Sequence, residues 1–346
     1  MKYKNVVVTG GTGYIASWIV YDLLKEGYSV RITVRDKAKI DKYQHLLDIA
    51  SNSTGTLEIF EADLLIDGSF DEAVNGADIV MHTASPFFLD DKNDPMKNLI
   101  KPAMNGTKNV LTSVNKFDSV KRVVLTSSIA AIYGDNKDMT DGGFAEITED
   151  MWNTSSSLCH NAYAYSKTRA EKAAWAMANK QNRWDLVTIH PGFVMGPSLT
   201  KRVDSTSIET ILRILRGDLR IGSPDLEFVF SDVRDVARGH LLAASTDEAK
   251  GRYIIANESG GLLDVGRIIG KIYNGDYKVP TRLIPKWLVV LVAPLIGFSR
   301  VYADKNIGYP LRANNFKSVQ ELNMIYHTLE ETVLDHTEQL IKDDLI

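Results

Sequence analysis

The stretch "NVVVTGGTGYIASWIV" (residues 5–20) constrains this chain more than any other. Its opening is a short apolar run, the pattern of a strand covered on both faces. Residues 14–26 read as a helix. Gly10, Gly11, Gly13 and Ala16 stand at the junction. Gly11, Gly13 and Ala16 fit a dinucleotide fingerprint whose last position accepts alanine, and Gly10, Gly13 and Ala16 fit a three-residue spacing. The residue types follow from the chemistry. A tight turn needs a backbone conformation that glycine adopts freely, and a pyrophosphate needs close backbone approach. The helix N-terminus then offers unpaired N–H groups and partial positive charge to phosphate. Gly10, Thr12, Gly13, Tyr14 and Ile15 are the candidate cradle.

The alternation continues. Runs at 29–35, 57–64, 77–84, 121–128 and 186–192 read as strands, with helical patterns between them. This is the signature of a parallel sheet with crossover helices on both faces. After residue 192 the rhythm changes. "PSLTKRVDSTS" reads as a loop, 208–217 as a helix, 227–245 as a strand and helix, and 251–257 as a strand. A last helix opens with Thr328 and Glu331 in capping-box spacing. The expected fold is α/β: a Rossmann-type doubly wound parallel sheet with a smaller, interleaved C-terminal substrate-binding lobe. The sheet domain takes 1–192 and 227–258, the lobe 193–226 and 259–346.

The end of the second strand selects the cofactor. An acidic residue there binds ribose hydroxyls, whereas arginine favours a 2′-phosphate. The sequence reads "TVRDKAKIDK". With a strand ending at Arg35, the guanidinium can stack on adenine and grip phosphate, and Asp36 points away. A strand shifted by one residue would favour NAD. The neighbours Lys37, Lys39 and Lys42 tilt the choice to NADP(H). Asp63 and Leu64 end the third strand, where Asp63 either contacts adenine or caps the following turn.

"VVLTSSIAAIYG" brings Thr126, Ser127 and Ser128 to the C-terminal rim of the sheet, where ligands bind in such folds. "NAYAYSK" (161–167) opens the next helix. Side chains four apart share a helix face and those two apart do not, so Tyr163 rather than Tyr165 pairs with Lys167. A free tyrosine has pKa ~10, and a neighbouring ammonium favours the phenolate. Serine, tyrosine and lysine on one rim form an acid–base set.

Totals exclude other classes. The 346 residues carry 40 basic and 44 acidic side chains, a net charge of −4, and show no basic stripe for nucleic acid. The single cysteine, Cys159, excludes an internal disulfide and fits a reducing, cytoplasmic setting. It reads as a small buried or half-buried residue. No export signal is visible. "WLVVLVAPLIGF" (287–298) is too short to span a bilayer, is interrupted by Pro294 and has no basic amphipathic face. It reads as core or lobe interface, so no membrane partner is expected. The expected partner is a small-molecule carbonyl substrate, the expected state a monomer or homodimer, and no metal is called for.

Across nearly its whole length the chain resembles the extended short-chain dehydrogenase/reductases. It is most similar to their dihydroflavonol 4-reductase-like branch, which includes yeast methylglyoxal/isovaleraldehyde reductases and plant cinnamoyl-CoA reductases. The resemblance rests on "TGGTGYIASWIV", "TVRD", "ADL", "HTASPF", "NGTKNVL", "RVVLTSS", "NAYAYSK", "EKAAWAMA", "HPGFVMGP" and "FSDVRDVA". It implies Tyr163 as general acid, Lys167 as the cation that tunes it and anchors the ribose, and Ser128 as the hydroxyl that polarises the carbonyl, with Ser127 the adjacent candidate. It implies that Thr83, Ala84, Ser85 and Thr126 line the cofactor, and that Pro191, Gly192, Phe193 and Val194 border its nicotinamide. Asn109 is implied as support for a relay water, and His190 is read as structural. Phe87, Phe88, Ile129 and Tyr133 are the candidate substrate pocket. The chain reads "LCHNAYAYSK" where cinnamoyl-CoA reductases carry a Trp-Cys-Tyr pattern, which points away from a CoA ester. The function so implied is NADPH-dependent carbonyl reduction. The alternatives are a nucleotide-sugar epimerase or dehydratase, for which Lys201, Arg202, Arg213, Arg216 and Arg220 offer basic side chains, a 3β-hydroxysteroid-type dehydrogenase, and a non-catalytic cofactor sensor.

Overall fold

The computed structural model describes residues 3–85 and 94–346. Its first half runs β1 (Asn5–Thr9), α1 (Tyr14–Lys25), β2 (Ser29–Val34), α2 (Gln44–Ser51), β3 (Thr56–Glu61), α3 (Asp71–Val74), β4 (Ile79–His82), α4 (Lys101–Val114), β5 (Arg122–Thr126), α5 (Asn136–Asp141), α6 (Ala162–Ala178) and β6 (Asp185–Pro191). The second half runs β7 (Phe193–Met195), α7 (Thr206–Leu215), β8 (Ser223–Pro224), β9 (Glu227–Asp232), α8 (Val233–Ser245), β10 (Gly251–Ile255), β11 (Ser259–Gly261), α9 (Leu262–Ile272), β12 (Leu283–Ile284), α10 (Lys286–Val292), α11 (Arg300–Asn306), α12 (Phe316–Leu322) and α13 (Leu329–Lys342).

Seven strands form one sheet in the order β10-β6-β5-β4-β1-β2-β3, and every pairing in it is parallel. The apolar runs are explained by helices on both sides. Val6 and Val8 belong to the core shared with α1 and α8, whereas Val7 between them belongs to the core under α4 and α6. Strand order reverses at β1, which lies between β4 and β2. Such a switch point leaves a crevice beyond the strand ends, where ligands bind.

The lobe is built on a three-stranded sheet, β11-β9-β7. This corrects one expected boundary. Of the segment 227–258, α8 and β10 join the large sheet, but β9 pairs with β7 and β11. An apolar six-residue strand carries no mark of which sheet it will join. The capping box at Thr328 and Glu331 is formed at the start of α13. The segment 287–298 is also corrected: Val289 and Ala293 are buried, but Trp287, Leu291, Leu295, Ile296 and Phe298 are exposed. Among the described residues no helix is long and apolar enough to cross a membrane, and no cluster of side chains could hold a metal ion. Phe87 and Phe88 lie outside the described residues.

Candidate active site

The glycine loop follows β1 directly. Gly10 has φ +66°, and a Cβ there would sit 3.1 Å from the Ala84 Cβ. Only glycine meets both demands without strain. Gly13 caps α1 in extended conformation, with no side-chain cap and no acidic residue in the first turn. The opening N–H groups of α1, including those of Tyr14 and Ile15, therefore have no intrahelical acceptor. The chain after β4 is fixed against this loop: the Ala84 N–H donates to Thr9 Oγ1 at 3.1 Å and the Thr83 hydroxyl to the Thr9 carbonyl at 2.5 Å.

A strap crosses the same loop, and no sequence signal announces it. The Tyr14 hydroxyl donates to the Gly196 carbonyl. Trp18 Nε1 donates to Pro197 O at 2.8 Å and Arg202 Nη1 to Thr12 O at 3.3 Å. The other basic residues grouped with Arg202 turn elsewhere. Lys201 donates to Asp343 O, Arg216 to Leu345 O and Arg220 to Gly217 O, while Arg213 pairs with Asp218.

β2 ends at Val34, one residue earlier than expected, yet Asp36 is still drawn aside. Its carboxylate accepts from the Ala38 N–H at 3.0 Å and pairs with Lys39 at 3.2 Å, contacts that hold it below the usual range. Arg35 and Lys42 are exposed. Asp63 accepts from the Leu65 N–H at 2.8 Å and so caps its own turn. Leu64 lies against Gly106, where a Cβ would come within 3.0 Å of it. The Asn109 side chain is committed to the loop after β3. It donates to the Leu64 and Ile66 carbonyls and accepts from the Gly68 N–H, holding the loop after β3.

The two adjacent serines have opposite surroundings. Ser127 is buried and donates to Glu171 Oε2 at 2.6 Å. Ser128 is half-buried, and its Oγ accepts from the Ala130 N–H at 3.1 Å, which leaves its own proton for another partner. Asn161 caps α6 in left-handed conformation and accepts from the Ala164 N–H. That turn presents Tyr163 at the rim, 39% exposed. Lys167 Nζ lies 5.7 Å from the Tyr163 ring centre and donates to Ser85 Oγ at 3.2 Å. Tyr165 is bonded to Arg169 on another side of the helix. Behind Lys167 a cavity of about 20 Å³ is lined by His82, Ser85, Thr107, Ser127 and Glu171.

Buried polar groups support this rim. Burial, opposed by contacts with His190, Arg252 and Ser127, leaves the Glu171 carboxyl held down at about 2. His190 Nδ1 lies 3.0 Å from the Ser128 carbonyl. A carbonyl only accepts, so Nδ1 carries the proton, and the ring is fully buried. The Thr126 hydroxyl is taken by His240 Nε2 at 2.7 Å. Gly192 donates its N–H to Ser231 Oγ at 2.8 Å, and Phe193 stacks in the lobe with Phe228, ring centres 5.0 Å apart. Pro191 ends β6, and Val194 lies in β7, packed against the core shared with α1. Ile129 sits in a core with Ile132, Met139 and Val229, with Tyr133 packed against it. Cys159 is exposed, against expectation.

The model of the NAD dependent epimerase/dehydratase family matches residues 6–256. A cinnamoyl-CoA reductase of Medicago truncatula is 42% identical over 273 residues, 78% of this chain and 81% of that protein. The crystal structure of Gre2 from Candida albicans in complex with NADPH superposes with a TM-score of 0.78 at 32% identity, covering 98% of this chain and 99% of that one. Yeast methylglyoxal/isovaleraldehyde reductase Gre2 complexed with NADPH does so with a TM-score of 0.77 at 30% identity, covering 98% of each chain.

Proposed function

The chain belongs to the NAD dependent epimerase/dehydratase family, and from that premise we propose that it is an NADPH-dependent carbonyl reductase acting on an aldehyde or ketone. The observation that carries the reading is the set on one rim: Ser128 with an uncommitted hydroxyl proton, exposed Tyr163, and Lys167 beneath its ring. The reductases similar to this chain support the same class of chemistry.

The residues present fit a dinucleotide. Gly10 and Gly13 leave room for close approach, the uncapped N-terminus of α1 faces that room, and such an end suits pyrophosphate. Exposed Arg35 and Lys42 would supply the cations that a 2′-phosphate needs, and Asp36 is occupied by Ala38 and Lys39. Thr83, Ala84 and Ser85 would line one side of the cofactor and Pro191 to Val194 the other. Bound there, NADPH would supply hydride to the substrate carbon. Ser128 donates to the substrate oxygen and holds it in place. Tyr163 gives its phenolic proton to that oxygen as negative charge develops. Lys167 stabilises the phenolate left behind and, through Ser85, is fixed beside the cofactor side of the rim.

The test is NADPH consumption with small aldehydes, aryl ketones, diketones and a dihydroflavonol, beside an NADH series. Turnover is expected with NADPH, and Tyr163→Phe should reduce it by orders of magnitude while NADPH binding stays nearly intact. No turnover with any carbonyl, together with NAD retained through purification, would transfer the assignment to the epimerase reading.

A further inference from the structure

Residues 196–204 form the strap that leads from β7 toward α7, and it is held from two sides. The Gly196 N–H donates to His336 Nδ1 at 3.2 Å, the Ser198 N–H to Gln339 Oε1 at 3.2 Å, and Lys201 Nζ to Asp343 O at 3.3 Å. These contacts fasten it to α13 and the residue that ends it. From the opposite side Tyr14 and Trp18 of α1 hold its start, and Arg202 reaches Thr12 in the glycine loop. A guanidinium carried by the lobe's strap thus rests one hydrogen bond from the middle of the candidate phosphate cradle.

Arg202 has donors to spare. Its Nε donates to Asp204 Oδ1 at 2.8 Å, and one Nη1 N–H is spent on the Thr12 carbonyl. A guanidinium has five N–H groups, so three, two on Nη2 and one on Nη1, have no protein acceptor among the described residues. The side chain is only 20% exposed. Asp204 occupies the Nε edge and leaves the Nη fork, the edge that grips a phosphate through paired N–H groups.

The neighbours of Arg202 tie it to the adenosine end of the cradle. His45, whose Nε2 lies 3.2 Å from Ser17 Oγ of α1, is held below its usual value by burial and then by the nearby Arg202 charge. Asp204 is held below the usual carboxylate range by its bond to Arg202, with a smaller part from Lys42. Arg202 and Asp204 therefore stand beside the segment after β2 that carries Arg35 and Lys42. Of the acids beside these cations, Asp204 is spent on Nε and Asp36 on Ala38 and Lys39.

We propose that Arg202 is a third cation for the 2′-phosphate of NADPH, delivered from the lobe by the strap. The inference rests on the reading of this site as an NADPH site. A phosphate is a stronger acceptor for a guanidinium than the neutral Thr12 carbonyl. Binding of that phosphate then fastens the strap, and with it α13, to the glycine loop.

Fluorescence titration of the full chain with NADPH, and separately with NADH, tests this without turnover. Arg202→Ala should weaken NADPH binding about 10–100-fold, the worth of a hydrogen bond to a charged group. It should leave NADH binding unchanged and move the melting temperature of the cofactor-free protein little. Arg202→Lys keeps the charge without the fork and should recover part of the loss. Equal weakening of both cofactors would overturn the proposal, because Arg202 would then hold the loop for any dinucleotide. Unchanged NADPH affinity in Arg202→Ala, with a wild type that prefers NADPH, would overturn the role of Arg202 and keep the cofactor reading. A wild type that binds NADPH and NADH equally would overturn both.

Discussion

The hydroxyl of Ser127 lies 2.6 Å from Glu171 Oε2 inside the protein, while the hydroxyl of Ser128, its neighbour in the chain, accepts from a backbone N–H at the rim. One side chain is bound into the scaffold and the other keeps a proton to give. Under the proposed mechanism the two alanine variants separate. Ser128→Ala should lower kcat about 10²–10³-fold, the usual loss when one oxyanion donor is removed, with little change in melting temperature. Ser127→Ala leaves a buried carboxylate short of a donor and should cost about 1–3 kcal/mol of stability with turnover largely retained. Steady-state kinetics beside thermal melts reads both.

Arg35 is the next separable element. It is exposed and just beyond β2, and the competing acid Asp36 is already held by Ala38 and Lys39. Arg35→Ala should raise the KM for NADPH about 10–100-fold, the worth of a hydrogen bond to a charged phosphate, and leave the KM for NADH unchanged. Equal losses for both cofactors would show that Arg35 does not read the 2′-phosphate.

Glu171 gives a prediction in pH. Its folded carboxyl is held at about 2, below the unfolded value near 4.5. A depressed acid contributes stability that is fully present above the unfolded value and is lost as pH falls toward the folded one. Urea unfolding of the wild type should therefore weaken between about pH 4.5 and pH 2, and Glu171→Gln should flatten that part of the curve. At pH 7 the variant should be less stable by about 3–5 kcal/mol, because Arg252 would remain buried without its partner.

Gly192 is predicted to be irreplaceable for a packing reason. A Cβ there would fall 2.0 Å from the Val229 carbonyl oxygen, which is backbone and cannot swing aside. Gly192→Ala should destabilise by at least about 1–3 kcal/mol, the range for overpacked sites, visible as a lowered denaturation midpoint. A melt identical to the wild type would mean that β6 and β9 can part at little cost.

The large sheet was legible because each of its strands is a short apolar run set among turn and helix signals. The glycine loop and the Tyr163–Lys167 pair were legible because local spacing alone fixes their geometry. What was missed depends on distant partners. Nothing around "EFVFSD" says that β9 joins β7 and β11 rather than the main sheet. Asn109 sits in a motif that reads the same whichever face of α4 it occupies. The strap from Gly196 to Arg202 reaches α1 and the loop before it from positions far along the chain, 179 to 190 residues away. The run at 287–298 is apolar, and apolarity predicts burial but does not specify what performs it.

Strand β10 closes the large sheet by pairing with β6 along five residues, although the two are separated in the chain by β7, β9 and α7 of the lobe. α8 likewise returns to cover the core it shares with α1. The protein is therefore not modular in the sense that protein engineers need. A fragment cut at residue 192 would present an unpaired edge strand and a bare apolar helix face, both invitations to aggregation. Exchanging the lobe built on β7, β9 and β11 between relatives must proceed as separate insertions between fixed strands, because no single junction divides one unit from the other.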